Sequence, residues 1–277
     1  GDRLMSDLRE EFSALASHEP LPLARAALLV AKQEYSSLDV EHYLHRLDDL
    51  AAAARSFVPT GSAVESAQGL SRFLFEHCGF AGNEISYGDP RNSFLNDVLE
   101  RKLGIPLTLS VIYLEVGWRL GIAFEGVSFP GHFLVKLCSQ GAELIIDPFN
   151  RGVLLTRREL EMRIAKATGR EVRLGAEALR AATTRQIVIR MLRNLKQIYL
   201  AAADWPRAVS ALDRMLILHP QALDELLERA KLYEMLECFQ PALEDLRSFM
   251  RLAPDHPAGD AIRDKIVKLS RAVARMS

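Results

Sequence analysis

"HFLVKLCSQGAELIID", residues His132–Asp147, consists of two short β-branched, aromatic and aliphatic runs around a Ser-Gln-Gly turn signal, and it reads as a β-hairpin. With the turn centred between Ser139 and Gln140, His132 faces Asp147, Leu134 faces Ile145 and Lys136 faces Glu143. The other face then pairs Phe133 with Ile146, Val135 with Leu144 and Leu137 with Ala142. One face is wholly apolar and the other carries every charge. A one-residue slip would carry Lys136 and Asp147 into the apolar layer, which period-two geometry penalises. Opposed side chains have Cβ atoms about 4.5–5.5 Å apart, so this register puts the Asp147 carboxylate within reach of the His132 imidazole. Such a bond fixes the tautomer and raises the basicity of the other ring nitrogen, which is two thirds of a catalytic triad.

Upstream lies "LGIPLTLSVIYLEVGWRLGI", Leu103–Ile122. Gly104 breaks whatever helix precedes it, and Pro106 suits a first helical turn, where the amide has no intrahelical partner. Apolar residues cover all sides of the segment up to Gly121, so a helix here belongs in the middle of the fold. "CGFAGNEISYGDPRNS", Cys78–Ser93, is a Gly-, Asn- and Pro-containing loop, over a site or at a hinge. Earlier still, "LPLARAALLVAKQEY" and "SLDVEHYLHRLDDLAAAARSF" have helical spacing, with Ser37 and Asp39 as cap and first-turn residues of the second.

Beyond residue 183 the pattern is wholly helical and repeats. Tyr199 and Tyr233, Trp205 and Phe239, Ala208 and Ala242, Leu212 and Leu246, Leu216 and Met250, and Pro220 and Pro254 each stand 34 positions apart. That is the period of tetratricopeptide repeats, in which small residues let paired helices approach closely. "DAIRDKIVKLSRAVARM" follows as a capping helix.

Composition excludes several functions. Lys plus Arg (35) nearly balances Asp plus Glu (36) with no block of one sign, so neither a nucleic-acid footprint nor a membrane-surface patch is expected. Cys78, Cys138 and Cys238 are far apart and form no C-x-x-C pair, which points to a reducing, cytoplasmic setting rather than a disulfide or zinc framework. The longest apolar stretch, Pro106–Trp118, is too short to span a bilayer, and no segment reads as a secretory leader. His42, His45 and Asp49 share a helical stripe but lack a fourth ligand, so they read as a solvated face; no metal and no cofactor is expected.

A buried helix ending in Leu-Gly-Ile, then a Gly-His strand, then an Asp-Pro strand, resembles the transglutaminase-like (papain-like) fold. More narrowly, "NSFLNDVLERKLGIPLTLSVIYLEVGWRLGI", "EGVSFPGHFLVKL" and "LIIDPFNRG", followed by the repeats, resemble bacterial SirB-type proteins over nearly the whole chain. The resemblance implies a Cys–His–Asp site in which a thiol at the helix start is the nucleophile, His132 the base and Asp147 its orienter. The position implied for the cysteine holds Pro106. Cys138 is six residues from His132 along a strand, roughly 20 Å, and does not reach it.

The expected architecture is α+β. A mostly helical transglutaminase-like domain with a small antiparallel sheet spans 1–182: helices to 90, central helix and hairpin over 91–150, connecting helices over 151–182. An all-α repeat module spans 183–277. The expected function is a non-catalytic protein that binds a protein or peptide partner through its repeats, with His132 and Asp147 kept as a structural pair. The competing expectation is a hydrolase or acyltransferase on amide or ester bonds, with Thr108 or Ser110 as a hydroxyl nucleophile activated by His132. Asn92, Asn96, Asp97 and Glu115 are further cleft candidates, with helix capping and loop bonding as their plainer roles.

Overall fold

The computed structural model describes residues 2–139 and 142–276. The expected turn residues Gln140 and Gly141 lie outside them. Four helices open the chain: α1 (Asp2–Ala16), α2 (Leu23–Lys32), α3 (Val40–Ala54) and α4 (Ala63–Ser71), the last running into a π-helical turn over Arg72–His77. Asp39, and not Ser37, caps α3, its carboxylate accepting from His42 N at 3.1 Å. A short parallel pair, β1 (Ala81–Gly82) with β2 (Leu103–Gly104), brackets α5 (Leu95–Arg101).

The central helix α6 (Pro106–Arg119) starts at its proline, and every residue from Pro106 to Gly117 is buried. That is the outcome dictated by an apolar surface on all sides. Strands β3 (Phe124–Phe129), β4 (His132–Ser139), β5 (Ala142–Asp147) and β6 (Val153–Leu155) follow, then α7 (Arg157–Thr168) and the edge strand β7 (Ala181–Ala182). They form one antiparallel sheet in the order β6-β5-β4-β3-β7.

The hairpin register differs from the expected one by two residues. Lys136 pairs with Ile145, Leu137 with Leu144 and Ser139 with Ala142, so the link occupies positions 140–141. A two-residue shift leaves every side chain on its original face, so face sorting could not distinguish the two alignments. Both faces are covered, against the expectation of one charged face. Phe133, Val135 and Ile146 are buried on one side, while Leu134 and Ile145 pack with Val127, Phe129, Leu155, Leu160 and Leu179 on the other. Lys136 is tolerated there because its Nζ donates to Leu179 O at 3.0 Å and meets Glu125 at 3.0 Å.

The remaining helices are α8 (Thr184–Ala201), α9 (Trp205–Leu218), α10 (Leu223–Met235), α11 (Phe239–Leu252) and α12 (Gly259–Met276). By internal contacts the chain divides within α8, between Met191 and Leu192. In the second unit, Ala208 and Ala242 are fully buried at the equivalent repeat positions, and Ala242, Leu246 and Phe249 pack with Ala230, Ile262 and Leu269. Arg229 on α10 ties three helices together. It forks onto Asp245 of α11 at 2.6 and 2.8 Å and reaches Asp213 of α9 at 2.9 Å.

Candidate functional site

His132 opens β4 immediately after the Pro130-Gly131 link, where Phe129 and His132 are paired across β3 and β4. Arg190 of α8 holds this corner, donating to His132 O at 2.8 Å and to Ser128 Oγ at 2.5 Å, with its guanidinium carbon 5.4 Å from the Phe133 ring centre. At the far end of the hairpin, Asp147 leaves β5 and caps the single 3-10 turn Pro148–Asn150. In the observed register Asp147 falls one step beyond the Val135–Ile146 pair, so it lies diagonally across from His132 rather than opposite it. The diagonal is within reach of an imidazole, and His132 Nε2 lies 2.8 Å from Asp147 Oδ1.

Asp147 is fully buried and accepts from more than the histidine. Asn150 Nδ2 donates to Oδ2 at 2.6 Å, Asn150 N to Oδ1 at 3.3 Å, and Arg163 Nη1 of α7 to Oδ2 at 2.7 Å. Burial alone would push the carboxyl up, but His132, Asn150 and Arg163 outweigh it and hold the group at about 2. At neutral pH Asp147 is therefore a carboxylate and accepts only. Nε2 of His132 must carry the proton of the shared bond, which leaves Nδ1 as the unprotonated nitrogen of the neutral ring. Nδ1 has no hydrogen-bond partner among the described residues. The Phe149 ring packs edge-on to the imidazole at 6.0 Å and to Tyr87 at 6.2 Å. On the α7 side, a cavity of about 230 Å³ is lined by Phe129, Pro130, His132, Leu160, Arg163, Ile164 and Thr168.

The hydroxyls proposed as nucleophiles are otherwise engaged. Thr108 is buried; its Oγ1 donates to Asn92 O at 2.7 Å and accepts from Ile105 N at 3.2 Å, which fastens the start of α6. Ser110 is buried as well; its Oγ donates to Pro106 O at 2.7 Å, with a longer 3.5 Å approach to Phe133 O. Each hydroxyl has one proton, and each proton is already given to a carbonyl. Pro106 itself is buried at the first position of α6.

The other cleft candidates are placed elsewhere. Asn92 is fully buried and organises the loop before it, with Asn83 Nδ2 donating to its Oδ1 at 3.0 Å and its own Nδ2 donating to Ser86 O at 2.7 Å and Tyr87 O at 3.2 Å. Asp97 accepts from Tyr35 OH at 2.5 Å, and burial together with that carboxylate raises the phenol's pKa. Asn96 is buried, its Oδ1 without a partner among the described residues. Glu115 accepts from Ala24 N at 2.8 Å, supplying the missing cap of α2, and pairs with Arg119. None of the four lines the cavity beside His132.

Four contributors escaped the sequence reading: Arg163, Asn150, Arg190 and Phe149. The Asp-Pro-x-Asn spacing at the end of β5 is a local cap signal that points to Asn150. Arg163 and Arg190 reach the pair only through tertiary packing and leave no local trace.

Among the described residues no group of three or more His, Cys, Asp or Glu side chains forms a metal site, and no helix is long and apolar enough to cross a membrane. Residues 41–193 match the family model of the transglutaminase-like superfamily, and residues 195–266 match a tetratricopeptide repeat model. A UPF0162 protein of Xylella fastidiosa is 40% identical over 261 residues, covering 93% of this chain and 93% of its own. A UPF0162 protein of Pseudomonas aeruginosa is 33% identical over 252 residues, covering 90% and 91%. The mouse F-box only protein 21 is 31% identical over 176 residues, which is 59% of this chain and 27% of that longer protein.

Proposed function

This chain belongs to the transglutaminase-like superfamily and carries tetratricopeptide repeats, and from that premise we propose that it is a non-catalytic, SirB-type interaction protein. In this reading residues 1–182 keep the His–Asp cleft as a binding surface, and residues 183–277 engage a protein or peptide. The observation that carries it is the engagement of the two hydroxyls on the first turns of α6, those of Thr108 and Ser110: both are fully buried, and each donates to a backbone carbonyl at 2.7 Å. Turning Thr108 into a nucleophile would orphan the Asn92 carbonyl and the Ile105 amide, at a cost of about 1–3 kcal/mol for each buried group, and Ser110 bonds back onto the carbonyl four residues before it within α6 rather than towards His132. Proline at position 106 supplies no thiol and removes one amide from the helix start, which weakens any oxyanion site there. The repeats support the binding half of the proposal, because short helical solenoids generally present surfaces for peptides or helices. The three cysteines are all free, which agrees with a cytoplasmic setting.

The test is turnover. Full-length protein and the His132→Ala variant are compared on amine-acceptor transamidation, peptide hydrolysis and simple ester hydrolysis. The proposal requires identical background rates. A rate above background that disappears with His132→Ala would establish the hydrolase or acyltransferase reading instead.

A further inference from the structure

We propose that the cavity beside His132 binds the C-terminal residue of a protein or peptide when that residue is apolar, holding its carboxylate at Arg163 and its side chain among Phe129, Pro130, Leu160 and Ile164. The inference rests on the non-catalytic reading of the His132–Asp147 pair and adds to it the chemical class of the partner.

Size sets the first limit. At about 230 Å³ the cavity is smaller than pockets that enclose a whole drug-sized ligand, roughly 300–1,000 Å³, so it suits a fragment such as one aliphatic side chain. Its walls are apolar, and its polar groups are His132, Arg163 and the rim hydroxyl of Thr168. Arg163 spends one Nη1 hydrogen bond on Asp147, yet its side chain is 42% exposed and a guanidinium has five N–H donors. The unspent donors fit a carboxylate. Because His132 donates through Nε2 to the Asp147 carboxylate, Nδ1 is the acceptor nitrogen of the neutral form of a ring that lines the same cavity as Arg163.

A ligand matching these groups has an anionic carboxylate, an N–H donor close by and an apolar side chain on the same short unit. The last residue of a polypeptide has all three on one Cα. A free amino acid would bring its ammonium towards Arg163, and an internal residue does not carry a carboxylate and an apolar side chain on the same Cα. A chain end is favoured over a small acylated amino acid by the surface leading away from the site. Phe149 stacks edge-on to His132, Tyr87 to Phe149, and Tyr87 is 52% exposed while Ile85, in the same loop, is 99% exposed. Bonds among Asn83, Ser86 and Asn92 tie that loop together, and its exposed apolar side chains, linked to His132 through Phe149, are where the residues preceding the terminus would lie.

The experiment uses full-length protein and a dye-labelled hexapeptide ending in leucine with a free carboxylate, read by fluorescence anisotropy. Its C-terminal amide should bind about tenfold more weakly or worse, as should the same peptide ending in lysine. Arg163→Gln should reproduce the amide's loss, and Thr168→Trp, at an exposed rim position, should block binding while leaving the fold intact by circular dichroism. N-acetyl-leucine should compete more weakly than the peptide, and Ile85→Ser with Tyr87→Ser should weaken the peptide but not N-acetyl-leucine. Equal binding of acid and amide, wild-type binding by both variants, or no binding at millimolar peptide would overturn the assignment. N-acetyl-leucine binding as tightly as the peptide would overturn the chain-end partner. Mass spectrometry of the recovered peptide separates the two readings: turnover dependent on His132 would refute the non-catalytic premise, whereas failure to bind refutes only the pocket.

Discussion

Replacing Asp147 by asparagine isolates the charge of the most buried ionised group in the site. The carboxyl falls from its ordinary 3.8 to about 2 through His132, Asn150 and Arg163, against the opposing pull of burial. Each tenfold in proton affinity is worth about 1.4 kcal/mol, so the ionised form stabilises the fold by about 2 kcal/mol at pH 7. The sign follows from the direction of the shift. A depressed carboxyl contributes its full stabilisation above the unfolded value, near pH 4, and loses it as pH falls through the folded value of about 2. Asp147→Asn should therefore lose about 2 kcal/mol at pH 7, about 1 kcal/mol at pH 3 and less than about half a kcal/mol at pH 2. Any steric penalty adds a constant offset, so the narrowing is the diagnostic quantity. Urea unfolding in a Trp205→Phe background, read through Trp118, reports on the first unit alone; Trp118 Nε1 donates to Phe124 O at 2.8 Å beside the same sheet. Other acid-sensitive carboxylates are common to both proteins and cancel. A gap that is absent at pH 7, or equally large at pH 7 and pH 3, would refute the reasoning.

Three further substitutions test the framework around the site. Gly152 sits at φ +72, and a Cβ there would lie 2.1 Å from Ser71 Oγ, so Gly152→Ala should cost about 2–5 kcal/mol in urea unfolding. Gly121→Ala, at φ +79 with nothing within 4 Å, should cost only about 1–2 kcal/mol. Asn92→Ala removes four side-chain hydrogen bonds, one buried and three part-buried, and should cost roughly 3 kcal/mol while speeding proteolysis between residues 83 and 92. Ala242→Leu inserts three carbons where no surface is exposed and should lower the stability of the second unit by about 1–3 kcal/mol, followed through Trp205.

What the sequence revealed about this fold follows from periodicity. The repeat was visible because equivalent residues recur every 34 positions, and the central helix because apolar residues surround it. The proximity of His132 and Asp147 was also legible, although by a route that was partly wrong. Period two puts both residues on one face in either of two alignments, and the chain adopts the one two residues away from the expected alignment, reaching across the diagonal. Lys136 disguised the second face of the sheet as exposed, because nothing local reveals that Leu179 O and Glu125 will satisfy it. Glu115 was placed with the cleft by its position on α6, yet its carboxylate faces the start of α2, a direction set by packing between elements 91 residues apart. Arg163 contributes to the charge balance of the pair and provides the open donors of the cavity, and its role depends on where α7 docks rather than on any spacing.

The central claim, that the cleft retains a base and its orienter without a nucleophile, is tested most directly by mapping adducts. Folded full-length protein and His132→Ala are treated with a hydroxyl-directed fluorophosphonate and, separately, with iodoacetamide, and modified residues are located by peptide mass spectrometry. A cleft without a nucleophile gives no fluorophosphonate adduct on Thr108 or Ser110, and thiol labelling at Cys78, Cys138 and Cys238 that is the same in both proteins. An adduct on any hydroxyl or thiol that forms in the wild type and is lost with His132→Ala would contradict that claim.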